Sequence, residues 1–412
     1  MTINFFSFFL ILFPFSIVAG PFFTNLTISL LAIFFLVISR KKEIWYFYKN
    51  PIIITMLIFW LYIIIRSLLS NNIILSLESS LFYGRFIFFS LAIAYLLEKN
   101  KKIIIYFGYS LWTCLILVSI DAYLQFFTGL NIFRWEQLDP ERISGFFREE
   151  LILGSFIARL IPLAFFCIIY MTELKYKKTL TILALLFLVA FDVLVYIAGE
   201  RLAFFYLIMS TILIILLVPT FRWLRVGAFI LSASIIILLN YSSPDLKNRM
   251  IDHTIEQIGL NETSEELYAF SPTYQRHFSS AYKMFIDNPI FGQGPKMFRE
   301  LCFEEKFFVK DACTSHPHQT YIQLLAETGA LGTLPVLIIF IIISYLLFKQ
   351  FLFLYFLRIK NYLSPAKVCI LISMVITLWP LAPGANFFAS WINAIYYLPL
   401  GFFLYQQKKD KD

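Results

Sequence analysis

Leu331-Gly332-Thr333-Leu334-Pro335-Val336-Leu337-Ile338-Ile339-Phe340-Ile341-Ile342-Ile343-Ser344-Tyr345-Leu346-Leu347-Phe348 carries no charge anywhere along its length. It is close to the roughly 20 residues that an α-helix needs to cross a hydrocarbon core of about 30 Å, so it reads as a transmembrane span. Comparable runs lie at about 4–20, 22–38, 51–68, 84–97, 103–127, 151–171, 179–198, 202–218, 226–241, 368–384 and 390–405. Together they predict an all-α polytopic membrane protein of about twelve helices, with both termini on one side. Composition agrees. With 60% hydrophobic and 15% charged residues, and a mean hydropathy of +0.77, too little polar surface is available to cover a soluble domain.

The net charge of +8 would suit a nucleic-acid partner if it formed a patch, but 19 of the 34 Lys and Arg residues fall in short loops on one face. Arg40, Lys41 and Lys42, Lys99 to Lys102, Lys175 to Lys178, Arg222 and Arg225, and Lys408 to Lys411 are among them. The opposite loops are nearly bare, and residues 69–83 contain neither Lys nor Arg. The basic balance therefore reports topology. It places the basic loops and both termini in the cytoplasm, and it excludes nucleic acid as the partner in favour of the lipid bilayer. The N-terminus lacks the positive start of a signal peptide and is read as a retained first helix.

Immediately before Leu331 the polarity changes. Residues 242–330 form the only large hydrophilic insertion, and they separate nine predicted helices in 1–241 from three helices and a tail in 331–412. Orientation puts this insertion outside the cytoplasm, and a segment of this length is usually functional. Tyr274, Phe278, Ala281, Tyr282 and Phe285 recur at helical spacing, predicting an amphipathic helix over 271–287 that ends at Asn288-Pro289. Ile290-Phe291-Gly292-Gln293-Gly294-Pro295 follows, with glycines suited to tight turns. A helix-rich cap over the outer opening is expected. A shorter outer segment, 128–150, contains Arg142 and Arg148.

Two of the four histidines, His316 and His318, lie where the insertion meets the span, with Glu327 nearby. An imidazole, whose ordinary pKa is about 6.5, can take a proton near neutral pH. Cys114, Cys167 and Cys369 fall in spans as packing residues, while Cys302 and Cys313 share the insertion and suit a disulfide. No metal-ligand spacing and no phosphate-cradling glycine loop is evident, so neither metal nor cofactor is expected. Asp121, Arg159 and Asp192 lie in or near spans, where ionisable groups line cavities or pair.

His318-Gln319, nine further residues from Thr320 to Thr328, and then Gly329-Ala330-Leu331-Gly332 resemble the signature of the O-antigen ligase and O-antigen polymerase superfamily. In that signature His is followed by Asn, Ser or Gln, nine residues, and Gly-x-x-Gly. Arg276, the helix after it and Asn288 to Phe298 resemble the family's second block, and the likeness is closest to the ligases. It implies a metal-independent glycosyltransferase of the bacterial inner membrane, working on the periplasmic side. The donor would be a polyprenyl-diphosphate-linked glycan, and the acceptor lipid A-core in a ligase or another glycan repeat in a polymerase.

Carried onto this sequence, the resemblance makes His318 the catalytic base and Arg201 and Arg276 the diphosphate-binding residues. His316, Gln319, Glu327, Arg142 and Arg148 are supporting candidates, with Glu327 expected to be structural or to pair with an arginine. Glu200 stands where the family often has a small residue, and an acid there could pair with Arg201. A lipid-linked-glycan transporter or flippase is the rival class. It would be expected to show internal repeats, and none is evident.

Overall fold

The computed structural model describes residues 2–173, 178–260, 268, 270–357 and 362–409. Among the described residues there is no β-strand. The helices are α1 (Thr2–Ile11), α2 (Phe13–Val18), α3 (Pro21–Ile38), α4 (Pro51–Leu68), α5 (Ile73–Ser80), α6 (Gly84–Lys99) and α7 (Lys102–Thr128). They continue as α8 (Leu153–Glu173), α9 (Lys178–Ile197), α10 (Arg201–Leu217), α11 (Arg222–Ser242), α12 (Pro244–Lys247) and α13 (His253–Gln257). The series closes with α14 (Pro272–Asp287), α15 (Phe298–Leu301), α16 (Thr320–Tyr355), α17 (Pro365–Thr377) and α18 (Ser390–Lys409).

Local chemistry sets many of these boundaries. Pro51, Pro272 and Pro365 occupy first helical positions, where a missing N–H costs nothing, and the side chains of Asn50, Ser271 and Ser364 cap the same helices. Among the described residues, seven helical stretches are long and apolar enough to cross a membrane: Pro21–Ile38, Pro51–Leu68, Ile73–Lys99, Lys102–Thr128, Leu153–Met171, Pro219–Ser242 and Thr320–Tyr355. Leu183–Ile197, Arg201–Leu217 and Pro365–Thr377 are shorter apolar helices. The chain is an all-α polytopic membrane protein. Its expected first span, 4–20, is divided between α1 and α2 near Pro14, and its expected last span is α18.

Burial orders the bundle. α8 is enclosed along its apolar length and packs against α17 and α10, α18 lies against α6, and α11 shows most of its surface outward. A helix that is apolar on all sides and buried on all sides belongs at the centre, as α8 does.

Two expectations need correction, and a third is refined. The span at 368–384 stops at Thr377, because Pro380 and Pro383 cannot continue a helix. The helix expected from Leu331 begins just after a break at Gly329, and a separate helical stretch from Thr320 leads up to that break from the insertion. Arg225, counted with the cytoplasmic loops, is fully buried: it pairs with Asp192 of α9 at 2.6 and 3.0 Å and donates to Thr211 of α10. Ser232 adds a further bond to Asp192 at 3.2 Å. Asp121 and Arg159 take no part in that pair. Asp121 accepts from the Ile132 amide at 2.8 Å, and Arg159 lies over the rings of Tyr206 and Trp391.

The cap has a small core of its own, in which Ala281 and Met284 of α14 meet Met297, Phe298, Leu301 and Phe307. Cys302 and Cys313 are joined by a disulfide, as their shared location suggested.

Candidate active site

The nine residues between Gln319 and Gly329 form one straight helical rod. The Gln319 carboxamide caps it by accepting the Ile322 amide at 2.5 Å, and Gly329, at φ 63° and ψ −171°, breaks the helix. That break leaves backbone groups that must find partners elsewhere, and the 289–294 segment supplies them. The amides of Ala330 and Leu331 donate to the carbonyls of Pro289 (2.8 Å) and Ile290 (3.2 Å), while the carbonyls of Ala326 and Glu327 accept from Gln293 (2.9 Å) and Gly294 (2.7 Å). The two sequence blocks are thus bonded directly to each other.

The glycines permit this crossing. A Cβ at Gly329 would run into the Ile290 carbonyl, and one at Gly292 into the backbone of residues 327–329. Gly329 therefore admits a crossing chain rather than a neighbouring helix. From α4, the Tyr62 hydroxyl donates to the Thr328 carbonyl (2.7 Å), and Arg66 donates to the Gly292 carbonyl at 2.7 and 2.9 Å. Glu327 is fully buried and accepts from the Phe298 amide (3.2 Å) and Gln323 (3.0 Å), so it ties α15 to α16.

On its other side the rod is laced to the chain leaving α17. Gln319 donates to the Pro380 carbonyl (2.5 Å), the Tyr321 hydroxyl to Leu378 (2.9 Å), and Gln323 to Asn386 (2.8 Å). The Gly384 amide donates to the carbonyl of His318 (2.8 Å). His318 itself has φ +54°. A left-handed backbone costs a non-glycine residue about 1–2 kcal/mol, and here its neighbours on both sides impose it.

The His318 ring lies 4.1 Å from that of His316, 5.4 Å from His277 and 5.8 Å from Tyr274, between centroids. His277 is buried, with Nδ1 2.8 Å from the Ala312 carbonyl. His316 has Nδ1 2.9 Å from the Ser315 hydroxyl, and its buried Nε2 has no hydrogen-bond partner. Burial, reinforced by His277, pushes the His318 imidazole down to about 4. Burial, with His318 beside it, pushes His316 down to about 3. Both rings are therefore neutral at pH 7, with a lone pair to accept a proton. Among the described residues, no group of three or more His, Cys, Asp or Glu side chains converges to hold a metal ion.

Tyr274 is also one wall of a cavity of about 380 Å³, and three guanidiniums line it: Arg142, Arg201 and Arg249. Arg201 opens α10 and donates to Gln257 (2.7 Å) and Thr254 (3.4 Å) of α13. Arg142 donates to the Leu151 carbonyl (2.9 Å), and its buried Nε has no partner. Arg249 rests against the Gly199 carbonyl at 3.3 Å. Leu381, Ala382 and Pro383, from the chain misread as a span, complete one side.

Glu200 does not neutralise its neighbour Arg201. Its carboxylate accepts the amides of Gly154 (2.6 Å) and Ser155 (3.2 Å) at the start of α8, a favourable place for an acid.

The remaining candidates lie off the cavity. Arg276 is exposed on α14 and paired with Asp311 at 3.2 Å, and Arg148 is exposed over the Trp135 ring. His318 does not line the cavity but stands behind Tyr274. Sequence reasoning missed Arg249, His277 and the 379–384 chain. Pro380 and Pro383 were the available signal for the last, and the buried face of the amphipathic helix for His277.

Residues 183–337 match the family model described as O-antigen ligase. The matched interval includes Arg201, Arg249, Arg276, His318 and both glycines of the Gly-x-x-Gly. No curated protein matches the chain.

Proposed function

We propose that this chain, a member of the O-antigen ligase superfamily through residues 183–337, transfers a glycan from a polyprenyl-diphosphate carrier to lipid A-core at the periplasmic face of the bacterial inner membrane. The observation that carries this reading is the adjacency of an arginine-lined cavity to a cluster of neutral imidazoles, with Tyr274 between them.

A glycosyl diphosphate already holds a good leaving group. The protein must position donor and acceptor, offset the charge that develops on the diphosphate, and accept the acceptor's proton. Arg201 and Arg142 suit the second task, since a guanidinium forms paired, permanently charged hydrogen bonds to phosphate oxygens. His318 suits the third. As the acceptor oxygen attacks the anomeric carbon, its proton passes to the imidazole. The carbon–oxygen bond to the diphosphate breaks with its electron pair on the leaving group, and the anomeric centre inverts. A bound diphosphate would also raise the basicity of His318, because a nearby negative charge favours the imidazolium. His316 and Gln319 fix the base in place. Arg276 reaches the donor only by leaving Asp311, which an incoming phosphate would favour.

The test is glycan transfer by purified protein in nanodiscs, using a polyprenyl-diphosphate glycan and lipid A-core, with and without EDTA. Transfer that survives EDTA and falls about 10²- to 10⁴-fold in His318→Ala is the expected result. Lengthening of the donor glycan without transfer to lipid A-core would make the protein a polymerase. Movement of donor between leaflets with no glycosidic bond formed would make it a transporter.

A further inference from the structure

We infer that Arg249 is a third cation of the donor diphosphate site, and that Glu141 is its resting counterion, displaced when the diphosphate binds. This rests on reading the arginine-lined cavity as the diphosphate site. Arg249 sits in the π-helical turn Asn248–Asp252, a rare geometry that often marks functional positions. The same turn leads directly into α13, whose Thr254 and Gln257 hold Arg201. One short segment therefore sets two of the three guanidiniums.

The partners of Arg249 are loose ones. Nη1 stands 3.7 Å from the Glu141 carboxylate, beyond hydrogen-bond distance, and Nε reaches the Gly199 carbonyl at 3.3 Å. The Glu141 carboxylate also faces His253 Nε2 at 4.0 Å, so it is shared between two cationic or potentially cationic groups.

Gly199 brings these parts to one rim. A Cβ there would run into the Glu141 carbonyl and the Arg142 side chain, so only glycine lets the 139–142 loop approach. Three guanidiniums then face one cavity, and the second nearby acid, Glu200, is engaged at the α8 N-terminus. Arg249 cannot make close bidentate contacts to a carboxylate and a diphosphate at once. The group with more charge and more acceptor oxygens takes it.

The experiment is binding of polyprenyl diphosphate, with polyprenyl monophosphate as control, to the full chain in nanodiscs. Arg249→Gln, Arg249→Lys, Glu141→Gln and the double variant Glu141→Gln/Arg249→Gln are compared with wild type. Arg249→Gln is expected to weaken diphosphate binding about tenfold and monophosphate binding much less, with partial recovery in Arg249→Lys. Glu141→Gln should bind diphosphate more tightly than wild type, and that gain should vanish in the double variant. Unchanged diphosphate affinity in Arg249→Gln, or weaker binding in Glu141→Gln, overturns the inference while leaving the cavity's role intact. Wild-type protein that binds no diphosphate overturns both. Should Arg249→Gln fail to fold, the sign of the Glu141→Gln effect decides.

Discussion

Arg225 and the three arginines of the cavity are the same residue type in opposite circumstances. Arg225 lies inside the bundle with two bonds to Asp192 at 2.6 and 3.0 Å and another to Thr211. Its charge is closed off by a carboxylate of equal valence, and nothing further can bind it. Arg142, Arg201 and Arg249 sit around an open cavity and are held by carbonyls, an amide, a hydroxyl and one carboxylate 3.7 Å away. Their positions are fixed, but none is closed off by a carboxylate at hydrogen-bond distance, although Glu200 also borders the cavity. Position without neutralisation is what an anion site requires, whereas full neutralisation indicates structure.

Removing the match at Arg225 should break the contrast most severely. Asp192→Ala strands a buried guanidinium, which costs about 3–5 kcal/mol, and a sharp fall in the unfolding midpoint and yield of nanodisc-reconstituted protein would register it. Arg201→Gln should act the other way. It should lose about 1.5–3 kcal/mol of donor binding, the scale of hydrogen bonds to a charged group, with the midpoint nearly unmoved.

The histidines give a third, subtler separation. Because His318 is held down to about 4 in the folded protein, the acid limb of kcat/KM should lie well below the ordinary imidazole value of about 6.5. Activity would then fall about tenfold per unit once the pH passes below the folded value. The same depression has a sign for stability. As pH falls from about 6.5 toward 4 for His318 and toward 3 for His316, the unfolded chain binds protons that the folded imidazoles refuse, so stability declines across that window and is unaffected above it. A pH series of unfolding midpoints checks it. The smallest effect on stability belongs to Arg276→Ala, since its pair with Asp311 is exposed on both sides. A change under about 1 kcal/mol is expected.

Much of this molecule is legible in its sequence because membrane spans announce themselves by length and apolarity. Residues 22–38, 51–68 and 103–127 became α3, α4 and α7 within a residue or so. The failures share a cause, which is that local composition cannot report what the partner segment does. Residues 320–328 mix polar and apolar side chains, and that composition does not tell that Gln323 and Glu327 are buried and bonded to Asn386 and Phe298. Residues 378–384 look like the end of a span because Leu378, Trp379, Leu381 and Ala382 are apolar, but two prolines end the helix and the chain becomes a cavity wall. Arg225 resembles a loop charge until α9 supplies its acid. At the site, His318 and Arg201 were marked by motif and position, whereas Arg249 had no motif and depends on a π-helical turn that no spacing rule foretells.

The break at Gly329 turns the signature into a ruler. Its nine unspecified positions are a length and a phase, running from the Gln319 cap to the point where 289–294 crosses. Each residue of an α-helix advances 1.5 Å and turns about 100°. One residue inserted between Gln319 and Gly329 would keep every side chain's chemistry while swinging His318 about a quarter-turn from Tyr274. The identity of most residues along that interval can drift, but their number cannot.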